Sequence, residues 1–162
     1  MKKQGFLRNL EDEGKLELVD PSEDICRSYM EKSDNCMKSA KILLENELYE
    51  NSVSMSYYAM YNSLTALLFG VGIKCENHTG SMLLLNRLFR RTDLFRIISS
   101  AKKERIDKQY YVSSKDNGKL EASSAREMTT DAEDFVLKIR LISRNLNQED
   151  IEDIRQRFRH MP

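Results

Sequence analysis

The sequence predicts an all-α protein, an antiparallel bundle of five to six helices. Three observations carry that reading. Six glycines and two prolines in 162 residues, against 32% charged residues, suit helices joined by short connections better than a turn-rich β fold or a disordered tail. Apolar residues recur at steps of three and four, the spacing of one helix face. No alternating apolar and polar run is long enough to demand a sheet, and no internal repeat appears.

The elements follow in order. Residues 1–19 read as an N-terminal acidic segment, with a short helix through Phe6, Leu7 and Leu10 laid across the bundle. Through Glu31 the chain carries eight acids and five bases. Residues 20–146 read as the bundle itself. Asp20-Pro21-Ser22-Glu23 supplies an N-cap, a proline at the first helical position and an acid three residues after the cap. Ile25, Tyr29, Cys36, Ala40 and Leu43 then form one face, running to about Glu45. After a short connection, Val53, Tyr57, Tyr61, Leu64 and Leu68 keep the helical step until Gly70 and Gly72 close the last turn. Thr79 or Ser81 can open a third helix through Met82, Leu85 and Phe89. Thr92-Asp93 starts a fourth, reaching about Tyr111. Ser113 to Lys119 is the best internal loop. Ser124 and Glu127 read as a capping box, followed by Met128, Ala132, Phe135, Ile139, Ile142 and Leu146. Residues 147–162 form a C-terminal helix that starts at Asn147, with Asp150 as its box partner, and buries Ile151, Ile154 and Phe158.

Composition narrows the function. Lys plus Arg and Asp plus Glu both count 26, so the net charge is zero, which argues against a globally basic nucleic-acid binder. Cys26, Cys36 and Cys75 are odd in number and unpatterned, as expected of reduced thiols. The start MKKQGFLRNLEDEGK is charged but has no apolar run after it. A cytoplasmic protein is expected. Asn51 to Ile73 is 23 residues without a charge, but seven of them are Asn, Ser or Thr and two are Gly. That suits a helix buried on most sides rather than a membrane span. No pair of histidines at helical spacing, Cys/His cluster or Glu-x-x-His set suggests a metal, and no Gly-rich phosphate loop suggests a nucleotide hydrolase. No cofactor is expected.

A pattern runs through the uncharged helix and beyond it. Leu43-Leu44 and Tyr49 are followed by SYYAMYNSLTALLFGVGIKCENHTG from Ser56 to Gly80. Arg105-Ile106-Asp107-Lys108-Gln109-Tyr110 and Ala132-Glu133-Asp134-Phe135-Val136 come later, and GKLELVDPSED precedes. In this order and spacing the chain resembles the HEPN superfamily across about residues 14 to 146. The resemblance implies an antiparallel helical bundle, often a homodimer. It also implies a place beside a nucleotidyltransferase-type partner in a prokaryotic toxin–antitoxin or defence pair. Active members of that superfamily are metal-independent endoribonucleases with Arg, four to six residues, then His.

Such cleavage needs a group to take a proton from the 2′-hydroxyl, a group to protonate the leaving oxygen and a cation for the phosphorane charge. Arg105 falls where the resemblance places the motif arginine, but Tyr110 stands in the slot of the histidine. A phenol with an ordinary pKa near 10 is a poor base at neutral pH, though it can still hold phosphate or stack on a base. The literal motif occurs once, from Arg155 to His160, beside the C-terminus, where a helix-end cluster of cations explains it as well. His78, in Glu76-Asn77-His78-Thr79-Gly80, lies where a loop enters a helix, as a backbone-bonded imidazole or as a ligand contact.

From Arg87 to Lys108 there are eight bases and three acids, either a solvated helix face or a cationic strip beside Tyr110 and Tyr111. Tyr57 and Tyr61 share the face of Val53 and Leu64 and read as core or dimer packing. Tyr58, about 100° away, is the better cleft residue. Small residues at Ser52, Ser56, Ala59 and Ser63 suggest close approach to another helix. The expected function is a non-catalytic binding module for RNA or a nucleotide, or one that docks a nucleotidyltransferase, with Arg105, Tyr110, His78 and Tyr58 as contacts. The alternatives are a metal-independent endoribonuclease toxin, drawing on Arg105, Tyr110, Arg155 or His160, and a structural partner with no nucleic-acid role. An imidazole beside Arg105 in one crevice would favour cutting.

Overall fold

The structure is a computed structural model that describes residues 2–110 and 118–161, with side chains for 5–107 and 121–161. Its described residues form seven helices and one small antiparallel ribbon. The helices are α1 (Lys2–Asp12), α2 (Glu23–Glu45), α3 (Tyr49–Gly70), α4 (His78–Phe89), α5 (Thr92–Tyr110), α6 (Gly118–Asn145) and α7 (Gln148–Arg159). The strands are β1 (Leu16–Leu18) and β2 (Ile73–Cys75), with Leu16 opposite Cys75 and Leu18 opposite Ile73. The all-α expectation holds, with one more helix than the range allowed and a ribbon the periodicity could not reveal. Three-residue strands are too short to alternate visibly.

Helix α3 is the centre of the bundle, packed against α2, α4, α5, α6 and the ribbon. After Glu50 in its first turn the helix carries no charge, which is what permits this, because a charge on its buried faces would sit without water. Tyr57, Met60, Leu64, Leu67 and Leu68 are among its wholly or almost wholly buried side chains. The small residues do bring helices close. Ser52, Ser56, Ala59 and Ser63 are fully buried. The hydroxyl of Ser52 donates to the Ala40 carbonyl of α2 at 2.7 Å, and Ser33 of α2 donates to the Ala59 carbonyl at 2.7 Å. On the α6 side Ser56 Oγ lies 3.4 Å from Thr129 Oγ1. Each buried hydroxyl is thereby satisfied while two backbones approach.

Helix α1 buries Leu7 and Leu10. Gly80 permits that contact, since a Cβ there would come within 2.7 Å of Leu10 Cδ1 and 2.9 Å of Cys75 Sγ. Gly72, at φ +75°, turns the chain from α3 into β2.

Three starts differ from the sequence reading. Helix α2 is capped by Ser22, whose hydroxyl accepts from Ile25 N at 3.2 Å, so Pro21 precedes the cap instead of following it. Helix α4 is capped by Asn77, whose side chain accepts from Gly80 N at 2.9 Å, and not by Thr79 or Ser81. Helix α6 begins at Gly118, so Ser124 and Glu127 lie inside it. For α2 and α4 a nearby residue offered the same capping chemistry. The expected loop at Ser113 to Lys119 falls largely on 111–117, outside the described residues. The Asn147–Asp150 capping box is present in both directions. Among the described residues no helix is long and apolar enough to cross a membrane.

Candidate functional site

One polar cluster forms where α3, the start of α4 and the middle of α5 meet. Tyr57 contributes from the most buried face of α3, with no exposed surface. Its hydroxyl lies 2.6 Å from Nδ1 of His78, the first residue of α4. The Asn77 cap fixes where His78 sits. Tyr61, one turn beyond Tyr57, stacks on the imidazole with ring centroids 3.7 Å apart and planes 17° from parallel. From α5, Arg105 Nη1 donates to the Tyr58 hydroxyl at 2.9 Å. The Arg105 guanidinium carbon is 5.1 Å from the Tyr57 ring centroid and 5.4 Å from that of Tyr58, within cation–π range. Three residues earlier on α5, Lys102 Nζ donates to Thr79 Oγ1 at 2.8 Å. Positions three apart on a helix are neighbours, so the two cations stand side by side.

The electrostatics of the cluster are one-sided. Burial pushes the His78 pKa down, and Lys102 and Arg105 push it further, so the imidazole is neutral at pH 7. Burial also lowers Lys102, helped by Arg105. Among the described residues every charge acting on these two groups is positive. Burial raises the Tyr57 phenol strongly, against the opposing pull of Arg105, so it keeps its proton. Burial raises Tyr61 as well.

These facts decide the imidazole tautomer. Among the described residues the Tyr57 hydroxyl has one hydrogen-bond partner, His78 Nδ1. If the phenol accepted from an Nδ1–H, its own buried proton would have no acceptor, at a cost of about 1–3 kcal/mol. The phenol therefore donates to Nδ1, and neutral His78 carries its proton on Nε2. In this state the second nitrogen is a donor and not a base. The Tyr58 oxygen accepts from Arg105, which leaves its own O–H to donate. Arg105 Nε is buried without a partner. The cluster thus presents two cations and two neutral donors, with no carboxylate among the described side chains that act on His78 or Lys102. That is the chemistry of an anion site.

The HEPN domain family model matches residues 26–153, more than three quarters of the chain. The chain belongs to the HEPN family. Similar HEPN-region sequences include a UPF0332 protein of Thermotoga maritima, 31% identical over 74 residues, which are 46% of this chain and 56% of that protein. A protein of Methanocaldococcus jannaschii named as a candidate toxin is 32% identical over 63 residues, 39% of this chain and 47% of its own. A UPF0332 protein of Archaeoglobus fulgidus is 35% identical over 54 residues, 33% of this chain and 43% of its own. The chain spans about half the length of the curated relatives it matches.

Of the residues singled out from the HEPN resemblance and the sequence, Arg105, Tyr58 and His78 come together. Tyr110 belongs to α5, but its side chain lies outside the described residues. Arg155 and His160 make other contacts. Arg155 Nη1 donates to the carbonyls of Val19, Val71 and Gly72 at 2.8, 3.1 and 2.9 Å, clamping the end of β1 onto the α3–β2 turn. His160 is exposed at the end of α7, its Nδ1 2.8 Å from the Gln156 carbonyl. Of the bases from Arg87 to Arg105, Lys102 and Arg105 enter the cluster, whereas Arg91 pairs with Asp93. The sequence reading missed Tyr57, Tyr61, Thr79 and Lys102 as site residues. The spacing of Lys102 to Arg105 was a usable signal, but nothing in α5 marked those two among its other bases. Tyr57 and Tyr61 gave a core signal, and for Tyr57 that was correct as far as it went.

Proposed function

We propose that this HEPN protein is the RNA-holding component of a toxin–antitoxin or defence-type pair, gripping phosphate at the Tyr57–His78–Arg105 cluster. The observation that carries the reading is the charge pattern. Among the described residues the charges acting on His78 and Lys102 are all positive, at an energetic cost that an incoming phosphate would relieve. Similarity to a candidate toxin supports the setting in a pair. The partner in this reading is of the nucleotidyltransferase type.

The test is binding of a fluorescent single-stranded RNA across a salt series, with EDTA present. The reading expects affinity to fall steeply as salt rises, and Arg105→Gln to weaken binding at least tenfold. Binding that ignores both salt and Arg105 overturns it.

A second reading, metal-independent RNA cleavage, is favoured by one feature: His78 and Arg105 contact the same tyrosine ring. It requires the imidazole to release the Tyr57 hydrogen bond or to exchange tautomers before it can accept a proton. Cleavage products in EDTA that vanish with His78→Gln would establish this reading, and intact RNA would remove it.

A further inference from the structure

Helix α4 carries His78 and Thr79 of the cluster in its first turn, and a separate cavity opens at its other end, about 16 Å away at the helical rise. The cavity, about 380 Å³ in volume, lies where the end of α4 meets the end of α6 and α7. Its floor is apolar. Leu88 and Ile154 are buried, and Phe89, Ile142 and Leu146 are half-buried around them. A cavity of that size and lining suits a small apolar group.

The polar part of the lining has donors to spare. Arg157 Nη1 donates to the Leu88 carbonyl at 2.6 Å, and Nη2 donates to Asp153 Oδ2 at 2.6 Å, which engages that carboxylate. The Nε of Arg157 is buried with no partner among the described residues. Asp150 Oδ2 accepts from Asn147 N at 3.0 Å, closing the capping box of α7. Arg90 is exposed, and among the described residues its guanidinium has no hydrogen-bond or ion-pair partner. A guanidinium carries five N–H donors in a fork that matches a carboxylate. The lining therefore holds two acids already engaged and one cation whose donors are unused.

The backbone of Arg90 points the same way. It ends α4 in the left-handed conformation, φ 55° and ψ 33°, where helices usually place glycine or asparagine. An arginine held in that conformation, without a polar partner of its own, is consistent with a ligand contact.

We propose that this cavity binds a small apolar monocarboxylate. The chain of the ligand lies on the apolar floor, and its carboxylate takes a bidentate pair of hydrogen bonds from Arg90. An apolar amine fits less well, because both acids of the lining are engaged, and an alcohol offers Arg90 no charge. The site shares no side chain with the His78–Arg105 cluster, so it stands or falls apart from the RNA reading.

The test titrates the full chain with octanoate and follows the methyl NMR shifts of Ile142 and Ile154, with octanol and octylammonium as controls. Octanoate is expected to shift both methyl signals and to bind roughly tenfold more tightly than either control. Arg90→Gly should weaken octanoate roughly tenfold and leave octanol unchanged. Its melting temperature should be no lower than that of the wild type, because glycine accepts the left-handed backbone without strain. Octanoate and octanol bound alike, or Arg90→Gly binding octanoate as the wild type does, overturns the carboxylate site. Methyl signals of Ile142 and Ile154 that do not move overturn the cavity as its place. A lower melting temperature in Arg90→Gly makes Arg90 a structural residue and overturns the proposal as well. Leucine bound more tightly than octanoate would mean that Asp150 reads an ammonium, and the ligand class would be wrong.

Discussion

The hydroxyl of Tyr57 donates to Nδ1 of His78 across 2.6 Å, from the most buried face of the central helix to the first residue of the next. This contact sets what the imidazole can do. With Nδ1 occupied, the neutral ring offers Nε2–H as a donor. The pair ties the core to the site, because the residue that orients the histidine is also a core residue.

The first prediction concerns that tautomer. Nitrogen chemical shifts of His78 at pH 7.5 should be those of the neutral Nε2–H form. In Tyr57→Phe the two tautomers should mix, and stability should fall by about 1–2 kcal/mol as the imidazole loses its partner. A wild-type ring protonated on Nδ1 would contradict the assignment.

The second concerns pH. His78 is held below its ordinary pKa by burial and by two cations, so the folded state resists a proton that the unfolded chain accepts. Its contribution is fully present above the ordinary histidine value of about 6.5 and is lost as the pH falls from there toward the folded value. Urea unfolding at pH 7.5 and pH 5.5 should show lower stability at the acid end, and His78→Gln should reduce that difference. An unchanged difference in the variant would assign the acid sensitivity elsewhere.

The third concerns Lys102, whose charge is disfavoured in the folded state by burial and by Arg105. Lys102→Met should leave the free protein at least as stable as wild type. Inorganic phosphate should raise the melting temperature of the wild type and have little effect on the variant. A variant that gains as much from phosphate as the wild type would remove Lys102 from the site.

The fourth separates two arginines. Arg155→Ala leaves three carbonyls without their shared donor and should cost about 2–3 kcal/mol by urea unfolding, while RNA affinity stays within twofold. Arg105→Ala should do the reverse. Equal effects of the two on RNA binding would mean that the Arg155 region takes part in binding.

Much of the fold was legible because its signals were local. The face from Met128 through Phe135 to Ile139, the Asn147–Asp150 box and the uncharged stretch of the central helix each follow from the sequence within one element. The ribbon was not legible, since Leu16–Leu18 and Ile73–Cys75 pair across more than fifty residues. The site was half legible. Arg105, Tyr58 and His78 stood out by motif or position, but Tyr57 has the periodicity of a core residue and is one. Its second role lies in a hydroxyl whose partner comes from another helix, and no pattern along α3 encodes that. The Arg155–His160 motif matched by letters, but its arginine holds backbone carbonyls, a role that depends on where α7 docks.

The central claim is that Lys102, Arg105 and His78 form a site for RNA phosphate. The most direct test is the salt dependence of single-stranded RNA affinity in the wild type and in the Lys102→Gln/Arg105→Gln double variant, both confirmed to be folded. Each lost phosphate contact lowers the logarithmic slope by about 0.7 for a single strand, so the double variant should lose about 1.4 and bind far more weakly at low salt. An unchanged slope and affinity would contradict the account.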